Sequence, residues 1–155
     1  MKIKEIENLD GEIIFTYDED DERWIWGQYD MTGVNLERAN LQGVIWQEVV
    51  LYGANLKGAD FYWANLFMSV LSETNCEGAR FSGTALEEVN FTRANLKNAD
   101  FGKDNLGGWT DVSGVNFTDA NLDRTKFNET RYDDKTIFPK KFNPEKNGLV
   151  RIKDK

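Results

Sequence analysis

The stretch Ala54, Asn55, Leu56, Lys57, Gly58, then Ala59, Asp60, Phe61, Tyr62, Trp63, then Ala64, Asn65, Leu66 decides the fold. It repeats a small residue, an Asn or Asp and a large apolar residue every five positions. Outward from it, the triplet recurs at Ala39–Leu41, Ala94–Leu96, Ala99–Phe101 and Ala120–Leu122. The large residues form a continuous series of centres from Leu36 to Leu106, which resumes one residue late at Val112 and runs on to Tyr132. The residue two before each centre is nearly always small or β-branched, as at Val34, Val44, Ser69, Thr74 and Ala79.

A period of five fits neither the 3.6 of a helix nor the 2 of a strand. Two inward residues per five, one large and one small, describe a chain that turns a corner every five residues. Four such sides close a square coil. About twenty repeats make about five coils, and at ~4.8 Å per rung the stack stands roughly 24 Å tall.

The motif resembles the pentapeptide-repeat family, whose signature is A(D/N)LXX, and the resemblance covers residues 34–134. It implies an all-β fold, a right-handed quadrilateral β-helix. The handedness comes from the resemblance; the square solenoid comes from the period. Residues 1–33 are expected to form an N-terminal hairpin and acidic cap, residues 34–134 the solenoid, and residues 135–155 a C-terminal capping tail.

Residues twenty apart should stack in columns: Leu36, Leu56, Cys76, Leu96, Phe117; Leu41, Phe61, Phe81, Phe101, Leu122; Trp46, Leu66, Leu86, Leu106, Phe127; and Leu51, Leu71, Phe91, Val112, Tyr132. Three Phe rings in one column read as a core ladder. Cys76 reads as a small buried hydrophobe rather than a reactive thiol. The Asn and Asp before each centre read as turn residues, because their side chains hydrogen-bond nearby backbone at corners.

The repeat slips at Gly107, Gly108 and Trp109. Asp104 falls on a small inward position, where an unpaired carboxylate is costly. A local bulge is expected to turn it outward or let it cap backbone amides, with Trp109 projecting. Ahead of the repeat, Lys2–Glu7 and Ile13–Tyr17 read as two strands around an Asp10-Gly11 turn, followed by the acidic run Asp18–Glu22. An open solenoid end exposes core and strand edges, so both termini read as caps. Ile137, Phe138, Phe142 and Pro144 are expected to cover the last coil, with a short strand at Leu149–Ile152.

The composition removes several function classes. The chain has 155 residues, a net charge of -8, no His and one Cys. Without His there is no Ser-His-Asp or Cys-His catalysis and no His-ligated metal. A packed interior offers no cleft in which paired carboxylates could converge, so no catalytic residue, cofactor or metal is expected. One Cys forms no internal disulfide. No run approaches the ~20 apolar residues of a membrane span, and the N-terminus has no secretory apolar region. A cytoplasmic protein with no membrane partner is expected. The acidic balance argues against direct nucleic-acid binding. Charge is uneven along the chain: residues 1–30 carry -7, residues 31–134 carry -6, and residues 135–155 carry +5. The basic tail, Lys140 to Lys155, reads as solvated.

Outward positions are free of packing demands, so apolar residues there are informative. Ile45, Val50, Tyr52, Tyr62, Trp63, Phe67, Met68 and Val70 point out by the register. An exposed apolar patch of that size marks an interface unless something covers it. The N-terminal hairpin, through Ile13, Phe15, Trp24 and Trp26, is expected to fold over most of it, leaving Tyr62 and Trp63 exposed. The partner-binding candidates are Tyr52, Tyr62, Trp63, Phe67, Met68 and Trp109, of interface-enriched types. The first reading is a non-enzymatic scaffold that binds a partner protein, with a homodimer as the variant in which the partner is a second copy. Two alternatives stand beside it. One is an immunity or antitoxin protein masking a toxin. The other, implied by resemblance to the quinolone-resistance pentapeptide proteins, is a DNA mimic acting on DNA gyrase; the basic tail and short solenoid depart from that pattern.

Overall fold

The computed structural model describes residues 2–25 and 29–153. Parallel β-bridges join residues one coil apart: Asn35 to Asn55 to Asn75 to Asn95, and likewise upward from Asn40, Ile45 and Val50. Each bridge is built from paired backbone hydrogen bonds. The Leu56 N–H donates to the Asn75 carbonyl at 2.8 Å, and the Asn75 N–H to the Ala54 carbonyl at 3.0 Å. Four bridge columns per coil make the chain a quadrilateral β-helix.

Its four faces are named here by their inward centres. Face 1 carries Leu36, Leu56, Cys76, Leu96 and Leu122. Face 2 carries Leu41, Phe61, Phe81, Phe101 and Phe127. Face 3 carries Trp46, Leu66, Leu86, Val112 and Tyr132. Face 4 carries Met31, Leu51, Leu71, Phe91, Phe117 and Phe138. The small inward positions complete the core, with Ala39, Ala54, Ala59, Ala79 and Ala99 fully buried. Where Ser or Thr replaces Ala, its hydroxyl donates to a buried carbonyl: Ser69 to Trp46 at 2.8 Å, Thr84 to Phe61 at 2.6 Å, Thr130 to Phe101 at 2.8 Å. The polar atom is thus satisfied without opening the core.

The Phe61, Phe81 and Phe101 rings of face 2 stack as expected, and Phe127 extends the ladder in place of Leu122. Phe61–Phe81, Phe81–Phe101 and Phe101–Phe127 have centroids 5.1, 4.8 and 5.3 Å apart. A second ladder on face 4 runs Phe91, Phe117, Phe138, each pair 5.7 Å apart. The Asn and Asp turn role also appears: Asp60 Oδ1 accepts from the Tyr62 amide at 2.9 Å, and Asn65 Oδ1 from the Phe67 amide at 3.1 Å.

The slip is larger than one residue. Ala85 bridges Asp111, Asn90 bridges Asn116, Asn95 bridges Asn121 and Asp100 bridges Lys126, each pair 26 apart instead of 20. The chain therefore leaves the coil for six extra residues. A five-residue phase registers an insertion only modulo five, so a whole extra side plus one residue looks like a slip of one. Leu106, read as an inward centre, is 79% exposed at the loop tip. The upper columns shift accordingly. Phe117 belongs to face 4, Leu122 to face 1, Phe127 to face 2, and Val112 and Tyr132 to face 3.

Strands β1 (Ile3–Glu7) and β2 (Ile13–Asp18) pair antiparallel, Ile3 opposite Asp18 and Ile6 opposite Phe15. Their turn closes on Asn8 Oδ1, which accepts from the Asp10 and Glu12 amides at 3.0 Å, with Gly11 at φ 84°. The hairpin joins the open edge of the first coil: Asn40 N–H donates to Glu7 O at 2.7 Å and Leu9 N–H to Arg38 O at 2.8 Å. A short helix α1 (Glu22–Ile25) follows. At the other end β3 (Arg131–Tyr132) pairs parallel with β4 (Val150–Arg151). Phe138 stacks on Phe117 and Phe142, Phe142 meets Phe127 edge-on, and the two rings close the ladders.

Candidate functional site

Nearly every corner of the coil takes a positive φ, and an L residue held there costs roughly 1–2 kcal/mol. Among the described residues, the non-glycine corners with positive φ are Arg, Glu, Asn or Asp at every position but two. Those two are Trp63, at φ 57°, and Met68, at φ 56°, on successive corners of one coil. They bound face 3 on its two edges. Nothing in corner geometry favours Trp or Met there.

Trp63 is 54% exposed and carries a further duty. The six-residue insertion folds back onto it. Its indole N–H donates to Asp104 Oδ2 at 2.9 Å, while Asp104 Oδ1 accepts from the Leu106 and Gly108 amides at 2.8 and 2.7 Å. Asp104 therefore caps backbone amides as expected, and it also clamps the loop to a corner two coils away. Gly83 leaves the room: a Cβ there would stand 2.7 Å from the indole. Burial pushes the Asp104 carboxyl up, but the Gly108 and Leu106 amides and the indole outweigh it, so it sits below the ordinary carboxylate range. Tyr62 beside it is half-buried under the Arg80 guanidinium, 4.0 Å from its ring, and its hydroxyl accepts from the Asn105 amide at 3.4 Å.

The remaining candidates lie apart. Phe67 is half-buried and Met68 is 45% exposed, both on face 3. Trp109, 48% exposed at the end of the loop, lies against the Arg131 guanidinium at 3.5 Å. Tyr52 sits on face 4 and donates to Glu73 at 2.6 Å, which also binds Arg93. Hydrogen bonding to Glu73 and desolvation raise its pKa. The fold thus gathers Tyr62, Trp63 and Trp109 around one loop, sets Phe67 and Met68 on the adjoining face, and leaves Tyr52 separate.

The hairpin does not cover this surface. It caps the end of the coil instead, because its edge groups pair with the first rung rather than with a side. Ile6 is buried, Ile14, Phe15 and Tyr17 pack on the core, and Ile13 is exposed. Ile45, Tyr52, Trp63 and Met68 stay exposed. Trp26 and the Trp24 side chain lie outside the described residues, as does Lys155 of the basic tail. Sequence reasoning missed Leu106, whose exposure follows from the true loop length, and the carboxylates Glu48, Glu87 and Glu88 around Phe67 and Met68. The column spacing of twenty would have found these carboxylates.

Cys76 is fully buried and burial pushes its thiol up to about 12, so it holds no thiolate at neutral pH. Among the described residues no three His, Cys, Asp or Glu side chains are grouped to hold a metal ion. Among the same residues no helix is long and apolar enough to cross a membrane.

No curated protein sequence matches the chain. Among solved structures it is similar to the pentapeptide repeat protein Rfr23 from the cyanobacterium Cyanothece 51142. That pair superposes with TM-score 0.56 at 21% identity, over 72% of this chain and 88% of that one, a likeness of fold alone. It is 30% identical to a pentapeptide repeat protein of the Arabidopsis thaliana thylakoid lumen, with TM-score 0.48 over 66% of this chain and 63% of that one. QnrB1, a plasmid-mediated fluoroquinolone resistance protein, is 15% identical with TM-score 0.30, over 79% of this chain and 58% of that one. The family model described as pentapeptide repeats matches residues 30–66 and 69–103 in eight copies, and with its coil of five-residue sides the chain belongs to the pentapeptide-repeat proteins.

Proposed function

We propose that the protein is a non-enzymatic scaffold that binds a partner protein on face 3 and its bounding corners. The observation that carries this reading is the pair of apolar corners. Trp63 and Met68 occupy strained positions that elsewhere hold Gly or polar residues. At Met68 that strain is kept without a folding reason, and strain of that kind points to use. Phe67 and the exposed Leu106 and Trp109 extend the apolar surface. Exposed aromatic, Met and Leu side chains gathered in one region are the mark of a protein-binding surface. The filled interior supports the non-enzymatic part, since Leu, Phe and Ala occupy the space a cleft would need. A buried thiol and the lack of any disulfide partner fit a cytoplasmic setting. A DNA mimic would want one sign of charge along the rod; face 1, where Glu37, Lys57, Glu77 and Lys97 alternate, does not support it.

Met68 is the cleaner probe, because Trp63 also holds the loop. Affinity capture from the native cell, followed by mass spectrometry, compares the wild type with Met68→Ser. A specific protein lost on substitution, at an unchanged melting temperature, is the expected result. Retention of the same proteins by both forms sinks the reading.

A further inference from the structure

The chemistry of the partner can be read from face 3, and this inference rests on the docking role just proposed. Along the corner column of that face, residues twenty apart are Glu48, Met68 and Glu88, each at φ near 60°. Backbone bonds fix the stack: Glu48 N–H donates to Phe67 O at 2.9 Å, and Met68 N–H to Glu87 O at 3.1 Å. Phe67 and Met68 therefore lie directly between Glu48 on one rung and Glu87 and Glu88 on the other.

Elsewhere on the solenoid three carboxylates find a cation one coil away. Asp60 meets Arg80 at 3.6 Å, Glu73 meets Arg93, and Glu129 meets Lys103 at 2.5 Å. In the Glu48 column the rung that would hold the neutralising cation holds Met68. Among the described residues none of Glu48, Glu87 and Glu88 has a cation within 4.0 Å. A surface with an apolar centre and unneutralised carboxylates on both sides repels nucleic acid and anionic lipid and complements a basic, apolar protein segment.

We propose that face 3 docks a partner segment carrying an apolar side chain between two Lys or Arg residues. The apolar side chain lies on Phe67 and Met68. One cation reaches Glu48 and the other Glu87 and Glu88, two rungs away, ~10 Å along the axis.

The test titrates the isotope-labelled full chain with the peptide Lys-Ser-Leu-Ser-Lys, whose alternate side chains share one face of an extended chain. Two controls accompany it, Glu-Ser-Leu-Ser-Glu and Lys-Ser-Ser-Ser-Lys. The first peptide should bind with Kd below about 1 mM and shift the amides of Glu48, Phe67, Met68, Glu87 and Glu88. Loss of the Leu should weaken it about tenfold, added salt should weaken it further, and the acidic peptide should not bind. Met68→Lys, which supplies the missing rung cation, should abolish binding without lowering the melting temperature. If the acidic peptide shifts the same amides equally well, the charge assignment is overturned while the docking surface stands. If the basic peptide shifts other residues, or none below about 1 mM, face 3 itself is overturned and the proposed function fails with it.

Discussion

Face 1 and face 3 share one backbone and differ in everything they show to solvent. On face 1 the outward asparagines bond from rung to rung: Asn55 donates to Asn35 at 2.9 Å, Asn95 to Asn75 at 3.1 Å, and Asn121 to Asn95 at 3.1 Å. The next column alternates in sign, Glu37, Lys57, Glu77, Lys97, Asp123. On face 1 the asparagines answer one another laterally and the charges alternate in sign. Face 3 breaks both ladders. Its corresponding column reads Ile45, Asn65, Ala85, Asp111, Arg131, and its outward charges are Glu48, Glu87, Glu88, Asp111, Asp133 and Asp134 against Arg131. The difference teaches that the coil needs neither ladder to fold. The docking role proposed for face 3 rests on this contrast: its carboxylates and apolar groups lack the lateral ladder that face 1 has.

The largest effect should be common to both faces. Leu96→Ala on face 1 and Leu66→Ala on face 3 remove fully buried centres and should each cost about 2–5 kcal/mol in chemical denaturation. A much smaller loss on face 3 would mean that its interior is looser, and the contrast would then lie in packing rather than in surface chemistry.

A smaller effect should separate them. Asn95→Ala removes the bonds to Asn75, Asn121 and the Lys97 amide and should cost roughly 1–3 kcal/mol. Asn65→Ala removes only the bond from the Phe67 amide and should cost about 0.5–1.5 kcal/mol. Equal losses would show that the asparagine ladder adds nothing, and the distinction between the faces would collapse to charge.

The smallest effect is a local response to pH at the edge of face 3. The Asp104 carboxyl titrates below its ordinary 3.8. Its contribution is therefore fully present above about pH 4 and is lost as pH falls through the lower folded value. The Leu106 and Gly108 amides and the Trp63 indole should shift together in that acid range, while the asparagine ladder of face 1 stays put. In Asp104→Asn the transition should vanish. An unchanged titration in that variant would place the responsible group elsewhere.

Much of this is legible in the sequence. The five-residue period dictates the square coil, because only a corner every five residues puts one large and one small side chain inward on each side. The inward placement of Cys76, the Phe61 to Phe101 ladder and the turn role of Asp60 and Asn65 follow from that register. The amide-capping role of Asp104 was legible for another reason: a lone carboxylate on an inward position must find donors. The covering hairpin was misjudged. Hydrophobic residues such as Phe15 declare that they need burial but not against which surface, and the unpaired edge of the first rung claimed them.

What the sequence determined by itself is therefore periodic: which residues face in, which face out, and how they stack within one phase. What only the tertiary structure decided is whatever the phase cannot count. The six-residue insertion appears in the sequence as one, since five of its residues leave the register unchanged. Its return to Trp63 is set by contacts 41 residues apart, which no local pattern encodes. The isolation of Glu48, Glu87 and Glu88 is likewise three-dimensional, because a charge counts as unanswered only when its neighbours one coil away are known.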